Sequence, residues 1–276
     1  MPPPEYMEGK KSEEILLPLP VMKTSSGGDN TLRDKLMTMY ASIYAMRKEL
    51  DGRRHPIGSQ ANPGRSCRDI YLSHAADQRL DDGWYWIDPN LGVIEDSIQV
   101  FCNMSAGGHT CLMPDPERSS ASAVPRAFIL NKWFSELPDG EKISYDRIGS
   151  AQVNFLSLMS SRAYQNLTYT CIDSVAYQDH LRSGLIISDR SIKLLGQSSV
   201  TFGFVRPQQE PEVKRVYELV ALKDECRDRN ANELKRTVVE IRTEQANQLP
   251  IVDIMPRDYG RDGQAFGFEV GPVCFV

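Results

Sequence analysis

Apolar residues fall at Leu32, Leu36, Met39, Ile43, Met46 and Leu50, spaced 4, 3, 4, 3 and 4 apart. This is the a/d pattern of a coiled-coil seam over about three heptads. It predicts a helix whose apolar stripe meets partner helices. An amphipathic helix lying on a globular core would show the same spacing. The uninterrupted run between two loop-like stretches favours self-association. Asn30 and Thr31 suit the start of the helix as caps, and Gly52 suits its stop. Ile43 at an a position, with methionines at d positions, leaves the number of helices open.

Residues 1–31 are rich in Pro, Ser, Gly and charge and read as an extended lead segment. Its apolar cluster, Ile15 to Pro20, is broken by prolines and cannot be helical. Residues 51–66 read as a linker. From Cys67 the pattern changes to short β-type runs separated by turn signals. They are Trp84–Ile87, Ile98–Cys102, Leu185–Ser188, Val200–Val205, Tyr217–Leu222, Thr237–Thr243, Ile251–Ile254 and Phe266–Val270. One stretch, Ala151–Arg162, repeats Val153, Leu156 and Met159 at helical spacing, and Ser119 to Ala123 reads as a small loop. Regular βαβ alternation is absent, so the expected class is α+β rather than a doubly wound sheet. The boundaries expected are 1–31 for the lead, 32–60 for stalk and linker, and 61–276 for the globule.

Composition narrows the function. Nineteen glycines in 276 residues exclude a collagen triple helix, which needs Gly at every third position. With 41 % apolar residues and a net charge of −5, the chain can bury a core and carries no basic stripe for nucleic acid. No apolar run reaches membrane-spanning length, and Met1-Pro2-Pro3-Pro4-Glu5 is not a secretory leader. Six widely spaced cysteines, without a C-x-x-C pair, favour three disulfides in an oxidising compartment over a zinc site. A secreted chain whose leader lies upstream reconciles these signals. Count alone leaves fifteen pairings.

Four histidines, His55, His74, His109 and His180, fall in no catalytic motif, and no nucleophile elbow, P-loop or dinucleotide fingerprint occurs. If all six cysteines are bonded, no thiolate remains for a cysteine–histidine hydrolase using His109 or His180. The chain therefore reads as no enzyme. The loop Asp88-Pro89-Asn90-Leu91-Gly92-Val93-Ile94-Glu95-Asp96 offers the carboxylate, amide and carbonyl oxygens that calcium takes. It is not an EF-hand, because position 99 is Gln. An ordinary acidic turn has a similar composition. Two sequons, Asn103-Met104-Ser105 and Asn166-Leu167-Thr168, are candidate N-glycosylation sites.

Several stretches together resemble the C-terminal propeptide of fibrillar procollagens. They are Arg65–Asp69, Trp84–Asn90, Val100–Met104, Gln165–Cys171, Leu249–Ile254 and Phe266–Phe275. The resemblance runs from about residue 62 onward. It implies a fibrinogen-like α+β globule on a short helical stalk, trimeric, that joins collagen α chains in the endoplasmic reticulum. There it sets their register and is later removed so that fibrils form in the extracellular matrix. The implied partners are two further collagen chains and a tolloid-type procollagen proteinase. The implied disulfides are Cys67–Cys102, Cys111–Cys274 and Cys171–Cys226. The implied calcium ligands are the side chains of Asp88, Asn90 and Asp96 and the carbonyls of Leu91 and Val93.

The family's chain-choice stretch corresponds to roughly Tyr145–Arg162. Its cut before an Asp corresponds to Gly28-Asp29, which would leave Lys10, Lys11 and Lys23 with the fibril for cross-links. This chain departs from the family at Ser73 and Val93, where linking cysteines usually stand. The implied trimer is therefore noncovalent. The alternative is a secreted fibrinogen-like module that recognises carbohydrate or protein, told apart by whether Gly-X-Y tracts lie upstream.

Overall fold

A computed structural model describes residues 29–75, 80–116, 120–123, 131–138, 140–181, 184–204, 216–229 and 233–276. Two units result, one up to Glu49 and one from Leu50 on. Lys10, Lys11, Lys23, the Ile15–Pro20 cluster and Gly28 lie outside the described residues.

The first helix, α1, covers Asp29–Arg54. It begins before Asn30 and Thr31, which are therefore helical rather than capping, and it runs through Gly52. One Gly costs a helix only about 1 kcal/mol relative to Ala. The stop is Pro56, which cannot continue the hydrogen-bond ladder and pushes residue 55 out of the helical region. Asn62 Nδ2 donates to the His55 carbonyl (3.2 Å) and so serves the exposed end of the helix. The 51–66 linker thus starts four residues later than its composition implies. All six seam residues are exposed, from 41 % at Leu36 to 59 % at Leu32.

The second unit is α+β. A short helix, α2 (Cys67–Ser73), is capped by Ser66, whose hydroxyl accepts from Asp69 N–H (3.3 Å). Then come β1 (Gly83–Ile87), β2 (Ile98–Asn103), β3 (His109–Leu112), β4 (Ser120–Ala123), α3 (Ser150–Met159) and β5 (Ala163–Ile172). These are followed by β6 (Gln178–Leu181), β7 (Gly184–Ile187), β8 (Lys193–Gly196), β9 (Thr201–Gly203) and β10 (Tyr217–Asp224). The last are β11 (Lys235–Thr243), β12 (Ile251–Met255) and β13 (Ala265–Phe275).

The main sheet is antiparallel throughout, in the order β1-β2-β3-β13-β5-β11-β10, with β4 also on β13. Strands β12, β8 and β9 make a second sheet, and β6 and β7 a hairpin. The segment expected to be a small loop contains β4, because small residues still supply a backbone ladder to β13. The helix expected over 151–162 ends at Met159, and residues 163 onward belong to β5.

Strand β5 alternates buried and half-buried positions along its whole length. One face of the sheet therefore meets the core and the other is open. On the core face Tyr169 stacks on Phe266 (6.0 Å), and Phe134 meets Phe268 edge-on at 5.0 Å. Buried Gln165 crosses between layers. Its Nε2 donates to the Tyr145 hydroxyl (2.7 Å) and the Gly271 carbonyl (2.9 Å), and its Oε1 accepts from Ile251 N–H (2.8 Å).

Candidate functional site

The turn from β1 to β2 brings Asp88, Asn90 and Asp96 together. The Asp88 carbonyl accepts from Leu91 N–H (3.2 Å), and Leu91 turns the chain at φ 51°. Asn90 Oδ1 accepts from Gly92 N–H (3.0 Å), while Asn90 Nδ2 donates to Asp96 Oδ2 (2.8 Å). Asp88 is buried, and its Oδ1 has no hydrogen-bond partner. Burial, and after it the charge of Asp96, push the Asp88 carboxyl above its ordinary range. An ionised Asp88 therefore weighs against the fold unless a cation offsets it.

These observations fit a hard divalent cation held by two carboxylates, an amide and backbone carbonyls. Among the described residues no three His, Cys, Asp or Glu side chains cluster for a metal. A set that takes carbonyls and an amide needs no third carboxylate. Sequence reasoning missed Gln152 of α3, whose Nε2 donates to the Asp96 carbonyl (3.0 Å). It lies 56 residues away in sequence, and only the packing of α3 brings it there.

Three disulfides close the cysteines: Cys67–Cys102, Cys111–Cys274 and Cys171–Cys226. This is the pairing the resemblance implies, and no cysteine among the described residues is free. Ser73 is half-buried. Its hydroxyl lies 2.7 Å from the Pro56 carbonyl, 2.8 Å from the Ile70 carbonyl and 3.0 Å from His74 Nδ1. Val93 is 62 % exposed, between the exposed side chains of Leu91 and Ile94. The Asp115 carboxylate fixes the segment before α3, accepting from the Ser144 hydroxyl (2.5 Å) and from the N–H groups of Asp146 (2.8 Å) and Arg147 (3.3 Å). Helix α3 buries Val153 and Leu156 and exposes Phe155 and Leu158.

Of the two sequons, Asn103 ends β2, and its Oδ1 accepts from the Ser105 hydroxyl and Ala106 N–H (2.9 Å each). Asn166 lies in β5, opposite Glu240 of β11. Among the described side chains no two histidines share a partner. His74 lies beside Ser73, and His109 pairs with Tyr164. No described helix is long and apolar enough to cross a membrane.

An antiparallel α+β globule stapled by three disulfides, with an acidic loop beside a helix, defines a disulfide-bonded module of the extracellular type. Comparison with known proteins gives the family. The fibrillar collagen C-terminal domain matches residues 35–275, and the chain belongs to that family. It is 35 % identical over 261 residues to the collagen alpha-2(I) chain of Oncorhynchus mykiss, covering 89 % of this chain and 18 % of that one. To the collagen alpha-1(II) chain of Xenopus tropicalis it is 36 % identical over 249 residues, covering 86 % and 16 %. To the collagen alpha-1(I) chain of Gallus gallus it is 33 % identical over 269 residues, covering 90 % and 17 %. The chain thus spans less than a fifth of the length of these relatives.

Proposed function

We propose that this chain acts as a procollagen C-propeptide in the secretory pathway and extracellular matrix. It gathers three collagen chains, sets their register, and is then removed. The family match over residues 35–275 carries this reading. The exposed seam of α1 supports it. Six large apolar side chains along one helix are not left in water by a stable lone helix, whose persistence depends on burying such a face. Full burial contributes about 1.5–3 kcal/mol per large apolar side chain. Outside the seam, α3 offers Phe155 and Leu158 within the stretch assigned to chain choice. Val93, with Leu91 and Ile94, offers an apolar contact where the family usually has a linking cysteine.

In this reading calcium is held by the side chains of Asp88, Asn90 and Asp96 and the carbonyls of Leu91 and Val93. When bound, it supplies positive charge that neutralises two carboxylates and stiffens the loop. Gln152 orients the Asp96 carbonyl and ties the loop to α3. Extracellular modules bind calcium at roughly 10⁻⁴–10⁻³ M. Asn166 and Asn103 are the sequons assigned to glycosylation, with Asn166 preferred because Asn103 directly follows the disulfide-bonded Cys102. Proteinase cleavage falls between Gly28 and Asp29.

Native mass measurement with and without a calcium chelator tests the reading. A trimer is expected with calcium and smaller species without it, and Asp88→Ala is expected to behave as the chelated protein does. A monomer under both conditions refutes the assembly. On a non-reducing denaturing gel the protein is expected to run as a monomer, because Ser73 and Val93 cannot form interchain bonds. A covalent ladder there would overturn the noncovalent trimer. After incubation with a tolloid-type proteinase, N-terminal sequencing of the released globule is expected to start at Asp29, and any other start refutes that cut.

A further inference from the structure

The open face of the main sheet carries a groove of ≈ 610 Å³. Register places Tyr164 opposite Arg242, Asn166 opposite Glu240, and Arg242 opposite Glu218. Alternation along the strands then puts all five on one face. His109 joins them: its ring meets Tyr164 edge-on at 5.8 Å, and its Nδ1 lies 3.1 Å from the Tyr164 hydroxyl. His109, Tyr164, Glu218, Glu240 and Arg242 all line the groove. Neither sequon asparagine lines it, but register sets each opposite a residue that does. Asn103 is paired with His109 at one end, and Asn166 stands beside Glu240 and one alternation beyond Tyr164.

Three details single out Asn166. A Cβ added at Gly271, in the irregular part of β13, would lie 3.7 Å from Asn166 Cβ, so the native glycine leaves that flank clear of a side chain. Asn166 stands clear of a cysteine in sequence, whereas Asn103 directly follows Cys102, which is disulfide-bonded to Cys67. The groove next to it combines a half-buried phenol ring with a carboxylate–guanidinium pair, Glu240–Arg242 (2.5 Å).

We propose that this groove is a carbohydrate seat and that its occupant is the proximal part of an N-linked glycan carried by Asn166. The proposal rests on the reading above that Asn166 is glycosylated. Attachment replaces one Nδ2 hydrogen by the anomeric carbon of N-acetylglucosamine. The donor is a lipid-linked diphosphate oligosaccharide; its diphosphate leaves with the bonding electron pair, and the amide proton passes to solvent. Once attached, the sugar lays its apolar face on the Tyr164 ring. Glu240, Arg242 and His109 present both acceptors and donors to its hydroxyl and acetamido groups. The glycan thereby covers the face of the sheet that the core leaves open.

The test expresses the whole chain in secretory cells that add N-glycans. Peptide mass mapping gives site occupancy, and the rate of glycan release by a peptide amidase is compared for native and denatured protein. Asn166 is expected to be occupied, with native release about tenfold slower, the equivalent of one good ring contact. Tyr164→Ala and Arg242→Ala are each expected to recover a large part of that factor. Arg242 is an exposed side chain, so its variant keeps the test valid even if Tyr164→Ala unfolds the sheet. A bare Asn166 overturns both this proposal and the glycosylation reading. An occupied Asn166 released equally fast from native and denatured protein overturns the seat alone, as does protection that Arg242→Ala leaves unchanged.

Discussion

Asp258→Ala is expected to lower unfolding stability by about 3–5 kcal/mol, the range for removing one partner from a buried ionic cluster. The Asp258 side chain is fully buried. Its Oδ2 accepts from Arg229 (2.7 Å) and from Val175 N–H (2.9 Å). Its Oδ1 accepts from Arg190 (3.2 Å) and Arg261 (3.4 Å). Arg229 also forks onto Asp179 (2.8 and 3.2 Å) and reaches the Asp173 carbonyl (3.2 Å).

One carboxylate thus joins the turn after β5, the hairpin β6–β7 and the loop between β10 and β11. Alanine leaves the Val175 N–H buried without an acceptor and strips one partner from Arg229, which is only 25 % exposed. Arg190 is half exposed and can turn to water, so Arg190→Ala is expected to cost no more than about 1 kcal/mol. Urea midpoints of the two variants decide the matter. Equal losses would show that the cluster acts as scattered surface pairs rather than as a buried anchor.

The second large effect is expected from the Cys111→Ser, Cys274→Ser double variant. This bond spans 163 residues, against 55 for Cys171–Cys226 and 35 for Cys67–Cys102. Chain-entropy reasoning gives roughly 5 kcal/mol for the longest link and about 4 kcal/mol for the shortest. Burial does not separate the three bonds, because all six cysteines are buried and serine hydroxyls in their place are desolvated in every case; loop length alone sets the ranking. The double variant is expected to show the lowest secreted yield and thermal midpoint of the three disulfide knock-outs. A midpoint above that of the Cys67→Ser, Cys102→Ser variant would contradict the ranking.

What the sequence made legible follows from range. The α1 seam and β1 declare themselves through local periodicity, and the acidic loop through residues within nine positions of one another. Strand β5 was hidden. Ala163-Tyr164-Gln165-Asn166-Leu167-Thr168 places a buried glutamine where alternation calls for an apolar residue. That glutamine is stable only because Tyr145, Gly271 and Ile251 converge on it from distant segments. Asp258 was hidden for the same reason. Met255-Pro256-Arg257-Asp258 reads as a charged surface turn, and two of the three arginines that make its burial tolerable lie 29 and 68 positions upstream. Likewise Gln152 carries no local signal for its bond to the acidic loop. The end of α1 was misplaced because a glycine was weighed as a stop when the proline four residues later decides it.

The place of β13 has a kinetic consequence. In the sheet order this last strand stands between β3 and β5, and among the described strands it alone pairs with both. Before it arrives, β1–β3 and β5–β11–β10 are two ladders with no shared edge. Such non-local closure is slow, because the loop entropy must be overcome before the pairing can stabilise anything. Completion of the globule is therefore a late, concerted event, reached only when residues 265–275 have been made. A nascent chain therefore holds two incomplete half-sheets until a single strand, β13, joins them.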